Sequence, residues 1–174
     1  EDNRGPGIVT THALALASAS VSRNHGPGIA LVDPADDDAT VSFRVGLENS
    51  VVSDNRGDGI YTVTGSVGLT ARVDITGNAG WGVHAGGAIS TSEDRLSLPV
   101  TVSRNGVGPS CVEVELPARG ALPRSTDGPC RSGGGLLGTR DSRGVVSRLF
   151  DLTVADNLGP GVIASNPIEL ARSR

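Results

Sequence analysis

The aromatic and charged side chains that could bind a ligand are concentrated between residues 56 and 84. The chain has 174 residues but one Trp, one Tyr and two Phe, and both Trp81 and Tyr61 fall in this stretch. Arg56, Asp58 and His84 lie close to them in sequence. Ring faces pack against the apolar faces of sugars, while polar groups bond to sugar hydroxyls. The five residues are therefore predicted to form a carbohydrate-binding patch.

The same stretch supplies the candidates for acid–base chemistry. No pattern in the sequence identifies a catalytic residue. If the chain is an enzyme, a pair of acids or an arginine base acting on a uronic acid is the expected machinery, and Asp58, His84 and Arg56 are the residues to test. The competing interpretation is that Trp81 and Tyr61 pack beneath a loop as a small local core.

Candidate metal ligands are few, and no cofactor is predicted. Four carboxylates lie in DPADDD and are weak candidates for Ca²⁺ ligands: Asp33, Asp36, Asp37 and Asp38. The spacing of known calcium loops is absent, so a solvated acidic loop is the favoured interpretation. Two cysteines and three scattered histidines do not have the spacing of a zinc site.

Composition narrows the class of protein and its partners. The net charge is −4, and the 15 basic residues are all arginine. The apolar fraction of 37% is that of a folded protein, and residues 1–174 are predicted to form a single domain. An acidic chain with dispersed arginines is not expected to bind nucleic acid. No apolar run approaches the length of a membrane span.

An internal repeat must position these residues. NRGPGI at residues 3–8 returns as NHGPGI, NRGDGI, NAGWGV and NLGPGV, with a degraded copy NGVG. Successive copies are separated by 21, 31, 23, 27 and 52 residues. Such periods indicate a solenoid, in which each repeat buries its apolar face only against its neighbours. The first residues of the copies are Asn3, Asn24, Asn55, Asn78, Asn105 and Asn157.

In each copy, apolar β-branched residues recur with a period of two on both sides of the glycines. This pattern indicates a strand, a turn and a second strand. Stacked coils would place equivalent asparagines one above the next in a hydrogen-bonded ladder. Asp2, Arg23 and Asp54 precede successive asparagines, so unlike charges should meet on neighbouring coils. Tyr61 and His84 both stand six residues after an asparagine and are predicted neighbours on an outward-facing surface.

The recurring VSxNxGxGI pattern resembles the right-handed parallel β-helix repeat family, whose fold is shared by pectate lyases, polygalacturonases, alginate epimerases and phage tailspikes. The resemblance implies an all-β right-handed parallel β-helix of about six coils. It implies less about activity, because this fold hosts many functions. The Asn-Thr-Asp, Gly-His-Gly and Arg-Ile-Lys motifs of polygalacturonases are missing, and GDG at residues 57–59 belongs to the repeat.

The interval between Asn105 and Asn157 is interpreted as one coil that carries an inserted loop over residues 109–132. Cys111 and Cys130 bracket this loop, and a disulfide between them would stabilise the fold by about 3 kcal/mol. Two unrelated buried thiols are the alternative. Because such bonds are rare in the cytosol, the disulfide predicts a secreted or cell-surface protein.

Two classes of function follow from this sequence. The favoured class is a structural, adhesive or polysaccharide-binding module of the cell surface, and the alternative is a carbohydrate-active lyase, epimerase or hydrolase. The repeat begins in mid-coil, which predicts either a longer parent β-helix or another chain that covers the open end. NPIELARSR is expected to begin a short C-terminal cap, with Pro167 ending the last strand.

Overall fold

The protein is a parallel β-solenoid. The computed structural model describes residues 1–32, 45–92, 99–106, 133–138, 146–164 and 167–173. These residues contain seventeen short strands, numbered β1 to β17 in chain order, and no helix. Every strand pair is parallel. The predicted all-β solenoid is confirmed at this level.

The strands stack on three faces, and consecutive strands along the chain lie on different faces. The first face, sheet A, has the order β1 (Ile8–Thr10), β4 (Ile29–Leu31), β7 (Ile60–Thr62), β10 (Val83–Ala85), β13 (Leu136–Gly138) and β16 (Val162–Ala164). The second face, sheet B, has the order β2 (Leu14–Ala17), β5 (Val45–Glu48), β8 (Val67–Leu69) and β11 (Ile89–Thr91).

Sheet B is continued by the pair β14 (Ser147–Phe150) and β17 (Ile168–Ala171), since the Ile89 N–H donates to Ser147 Oγ of β14. The third face, sheet C, has the order β3 (Ser20–Ser22), β6 (Val51–Ser53), β9 (Asp74–Thr76), β12 (Val100–Ser103) and β15 (Leu152–Ala155). One strand from each face makes one coil.

Small aliphatic side chains fill the interior, as the scarcity of aromatics predicts. Alternate residues of each strand point inward, so equivalent positions form columns that run along the stack. Sheet A shows this clearly, because its inner positions in successive coils are fully buried aliphatics: Ile29, Ile60, Val83 and Leu136. The core cluster contains only Val, Ile, Leu and Ala.

The repeated asparagines form a continuous ladder where sheet C turns into sheet A. Each asparagine from Asn3 to Asn105 donates its backbone N–H and one Nδ2 hydrogen to Oδ1 of the asparagine in the next coil, at 2.8 to 3.2 Å. From Asn55 onward, Nδ2 also donates to a carbonyl of sheet C in the preceding coil, at 3.1 to 3.2 Å. The ladder therefore satisfies polar groups inside the stack, where Asn24, Asn55 and Asn78 are at most 1% exposed.

The residue before each ladder asparagine has a left-handed backbone. The value of φ is 54° to 58° at Asp2, Arg23, Asp54, Arg104 and Asp156, and 69° at Gly77. A second left-handed column follows sheet B, at Ser18, Asn49, Arg72, Asp151 and Arg172. Nothing in the sequence analysis predicted this second column.

Arginine–aspartate pairs join neighbouring coils in both left-handed columns. Arg23 binds both carboxylate oxygens of Asp2 at 2.9 Å, and Arg172 binds both oxygens of Asp151 at 2.8 Å. The predicted meeting of unlike charges at Asp2 and Arg23 is confirmed. Because the pairs are exposed, they contribute little stability and mainly favour one stacking register.

The fifth corner is built from two segments that are far apart in sequence, one ending at Gly106 and the other beginning at Gly133. Gly106 donates its N–H to the Asn78 carbonyl, as the residue after each ladder asparagine does. The corner resumes at Gly133–Gly135, since Gly82 donates to Gly134 and Leu136 pairs with Val83. The copy is thus Asn105-Gly106 next to Gly133-Gly134-Gly135-Leu136 in space, and the predicted corner NGVG is wrong. The 52-residue interval is one coil, because Asn105 bonds directly to Asn157.

The expected C-terminal cap is wrong. Residues Ile168–Ala171 form the regular strand β17, in register with β14, and Pro167 precedes this strand rather than ending one. Several other predictions concern residues outside the described ones: the loop at 109–132, the Cys111–Cys130 disulfide, and the carboxylates Asp33, Asp36, Asp37 and Asp38. They stay predictions.

Candidate functional site

Tyr61 and His84 lie side by side on the outer surface of sheet A. They are register partners on β7 and β10, and their ring centroids are 5.0 Å apart with the planes nearly perpendicular, at 86°. Their neighbours Ile60 and Val83 point into the core, so the two rings point away from it. The shared repeat position therefore brings them together, as the sequence spacing predicted.

Asp58 contacts two of the other candidate residues, Trp81 and His84. Its Oδ1 accepts the Trp81 backbone N–H at 2.7 Å, and its Oδ2 lies 3.2 Å from His84 Nδ1. The side chains of Asp58 and His84 are 18% and 19% exposed, which leaves them reachable from solvent. A fixed carboxylate on Nδ1 orients the imidazole and favours the tautomer that leaves Nε2 as an acceptor. Within the described part of the chain, Nε2 has no partner.

The corner geometry explains why Asp58 fits this position. It replaces the proline found at Pro6 and Pro27 in the first two corners, and a side chain at Gly80 would collide with Asp58 Oδ1. The glycine in the next coil therefore makes room for the carboxylate. Gly80 was missed as a site residue, although the change from GPG to GDG and GWG at consecutive corners was a usable signal.

Trp81 occupies the same corner position one coil further on. Its indole lies across the backbone of the following corner, because a Cβ built on Gly134 would be 2.5 Å from Cζ3 and 3.0 Å from Cη2. The side chain stays partly exposed. The backbone N–H of Trp81, and not its ring, is the group that contacts Asp58.

Tyr61 is the main departure from the predicted patch. It points away from the core, yet it is only 6% exposed, so its ring cannot offer a face to a ligand. Burial, and secondarily the nearby Asp58 carboxylate, raises the pKa of Tyr61 to about 12. Tyr61 is thus an uncharged side chain against which His84 packs, and it does not form part of a ligand-contacting surface.

Arg56 is exposed and separate from the other candidates. It follows Asn55 in the corner, and its backbone N–H donates to the Asn24 carbonyl. Its guanidinium makes no hydrogen bond or ion pair with Asp58 or His84. The structure brings Asp58, Trp81 and His84 together through hydrogen bonds and adds Tyr61 through a ring contact with His84, whereas Arg56 makes none of these contacts.

The single tyrosine provides a direct test of this site. Because the folded pKa of Tyr61 exceeds the unfolded value of about 10, its contribution to stability is complete below pH 10 and is lost as pH rises through 12. The expected loss is about 3 kcal/mol. No lysine titrates in this window. Absorbance titration and urea unfolding at each pH would measure both effects.

Tyr61→Phe is the control, since it should abolish the pH dependence between 10 and 12. Asp58→Asn should lower the Tyr61 pKa only partly, because burial is the larger cause of the shift. An ordinary tyrosine titration near pH 10 in the folded protein would contradict the buried site.

No group of three or more His, Cys, Asp or Glu side chains lies together within the six described segments. The same residues include no helix long and apolar enough to cross a bilayer.

Comparison with protein-family models, with curated proteins and with solved structures gave no match.

Proposed function

We propose that this chain is an extracellular or cell-surface module of the right-handed, pectate-lyase-like β-helix kind, with a structural and adhesive role and a polysaccharide-binding site on coils three and four. The observation that carries the proposal is the cluster of Asp58, Trp81 and His84 on one outer face. The hydrophobic core is aliphatic and does not include these three residues. Core packing alone therefore does not explain why an indole, an imidazole and a carboxylate occur next to each other.

The chemistry of this cluster suits a sugar. The partly exposed indole of Trp81 offers an apolar ring surface, and the carboxylate–imidazole pair offers donors and acceptors for hydroxyl groups. Tyr61 keeps His84 in place from the buried side, and the Trp81 N–H holds Asp58. A ligand would meet preorganised groups and lose little affinity in ordering them.

Secretion is the setting this proposal requires. The predicted Cys111–Cys130 disulfide supports it, because structural disulfides persist mainly outside the cytosol. Mass spectrometry of the non-reduced protein after proteolysis would show whether these two residues are linked.

A glycan screen of the purified, oxidised protein tests the binding site. We expect binding to one class of polysaccharide that falls at least about tenfold in Trp81→Ala and in His84→Ala, which is the loss of about one good contact. Ile163→Ala, on the same outer face of sheet A but on the last coil, is the matched control and should bind normally. Binding that survives both site substitutions would place the ligand elsewhere and refute this site.

The second candidate is a carbohydrate-active enzyme, and the unpartnered Nε2 of His84 favours it. An imidazole oriented by a carboxylate is a general base, and the exposed Arg56 could neutralise the carboxylate of a uronic acid. New unsaturated or reducing ends on incubation with acidic polysaccharides would establish turnover. His84→Ala should then abolish it, and Asp58→Asn should lower it by removing the carboxylate that orients the imidazole.

A further inference from the structure

The corner position after each ladder asparagine is basic in the first three coils. The residues there are Arg4, His25 and Arg56, and we call them the basic stripe. Backbone bonds fix their alignment, because the His25 N–H donates to the Asn3 carbonyl and the Arg56 N–H to the Asn24 carbonyl, each at 2.9 Å. Neighbouring strands lie about 4.8 Å apart, so the stripe is a line about 10 Å long that runs parallel to the solenoid axis.

The basic stripe differs from the other charged columns of the protein. Opposite charges stack in both left-handed columns, where Arg23 binds Asp2 and Arg172 binds Asp151. Like charges that stack on neighbouring strands destabilise a sheet. Folding alone therefore does not favour three basic residues in succession at one corner position.

The nearby carboxylates do not neutralise the stripe. The carboxylate of Asp54 lies over Gly77 in coil four, and Asp58 is bound by groups of coil four. Neither the Arg56 guanidinium nor the His25 ring has a hydrogen bond or an ion pair with any described residue. Arg56 is exposed and His25 is partly exposed, so both can meet a ligand from solvent.

We propose that the basic stripe binds the oxyanions of a linear anionic glycan that lies along the solenoid axis. A guanidinium group binds the oxygens of such an anion through paired N–H donors. An even line of basic groups fits a polymer whose charges recur along its length, whereas a compact anion would leave part of the line unused. This inference does not rest on the proposed sugar site at Asp58, Trp81 and His84.

The corner leaves room for a polymer beside the stripe. The residue after each stripe residue is a glycine: Gly5, Gly26 and Gly57. No side chain therefore stands next to the stripe on this side, and a polymer can approach the basic groups closely.

A nucleic acid fits these observations less well. Its binding is dominated by contacts of many basic residues with phosphates. The stripe has three basic residues, and the chain has a net charge of −4 that repels a nucleic acid.

Binding of dextran sulfate, carboxymethyl dextran and unmodified dextran to the full chain tests the proposal, because the three polymers share a backbone and differ in their oxyanions. We expect calorimetry to show binding of at least one charged dextran and none of the unmodified one. The tighter ligand identifies sulfate or carboxylate as the preferred oxyanion. Arg56→Gln should weaken binding about tenfold. It should also reduce the slope of log affinity against log salt concentration by about one, the contribution of one ion contact.

Arg72→Gln is the matched control, because it removes the charge of an exposed arginine at the corner after sheet B. It should bind like the parent. Ala79→Arg extends the stripe to coil four and should tighten binding about tenfold. Ala15→Arg adds the same charge at an exposed position of sheet B and should leave the affinity unchanged.

Three results would overturn the proposal. They are no binding of either charged dextran by the parent, equal losses in Arg56→Gln and Arg72→Gln, and tighter binding of single-stranded DNA than of either charged dextran at the same salt concentration. Failure of the sugar site is a separate result, since it appears as glycan binding that Trp81→Ala and His84→Ala do not change.

Discussion

Replacing Asn55 with alanine is expected to lower the free energy of unfolding by about 4 kcal/mol. Asn55 Oδ1 accepts both the backbone N–H and the Nδ2 hydrogen of Asn24, at 3.1 and 2.8 Å. Its own Nδ2 donates to Asn78 Oδ1 and to the Val21 carbonyl. The substitution leaves the two Asn24 donors without an acceptor at a position that is 0% exposed. Each such buried group costs about 1 to 3 kcal/mol.

Asn3→Ala is the matched control, because it removes the same residue type from the exposed end of the ladder. Water can replace the lost partners there, so the expected cost is at most about 1 kcal/mol. Urea unfolding monitored by circular dichroism gives both values. Equal losses for the two variants would show that the ladder contributes through local turn preference and not through burial of its polar groups.

Gly59→Ala is expected to have the second large effect, a loss of more than about 4 kcal/mol or failure to fold. A Cβ at this position would lie 2.6 Å from the Gly82 carbonyl oxygen, 2.8 Å from Asn78 Nδ2 and 2.9 Å from Ile75 Cγ2. All three atoms belong to the next coil, so the methyl group would force two coils apart. The substitution would strain the ladder at Asn78 and the core at Ile75 at the same time.

Gly46→Ala is the control for Gly59→Ala, since nothing lies within 4 Å of a Cβ built there. It should be neutral, or stabilising by about 0.5 kcal/mol through the unfolded chain. Soluble yield and urea midpoints compare the two. A Gly59→Ala variant that folds with parent stability would mean that the coils separate more readily than this packing implies.

The ladder and the corner positions could be predicted because they depend on local repetition. Each NxGxG copy carries its own turn and its own strand on either side, so aligning the asparagines also aligns the coils. The pairing of Tyr61 with His84 follows from that alignment alone. Three-dimensional neighbours are therefore readable wherever the repeat is unbroken.

Features that depend on contacts between distant segments were not predictable in this way. The burial of Tyr61 cannot be deduced from its repeat position, which equally suits an exposed ring. The fifth corner was misread because its glycines, Gly133–Gly135, lie far from Asn105 along the chain. The left-handed column after sheet B could not be predicted because its five positions hold four residue types: Ser18, Asn49, Arg72, Asp151 and Arg172.

The split corner between Gly106 and Gly133 shows where this solenoid accepts new sequence. The Gly106 N–H donates to the Asn78 carbonyl and the Gly134 carbonyl accepts from Gly82, as the equivalent groups do at the unbroken corners, so both sides of the split are bonded to coil four. Since the entropy of closing a loop grows slowly with its length, the segment can lengthen or shorten at little cost. The position is therefore suited to insertion of a foreign peptide or a small domain into the solenoid.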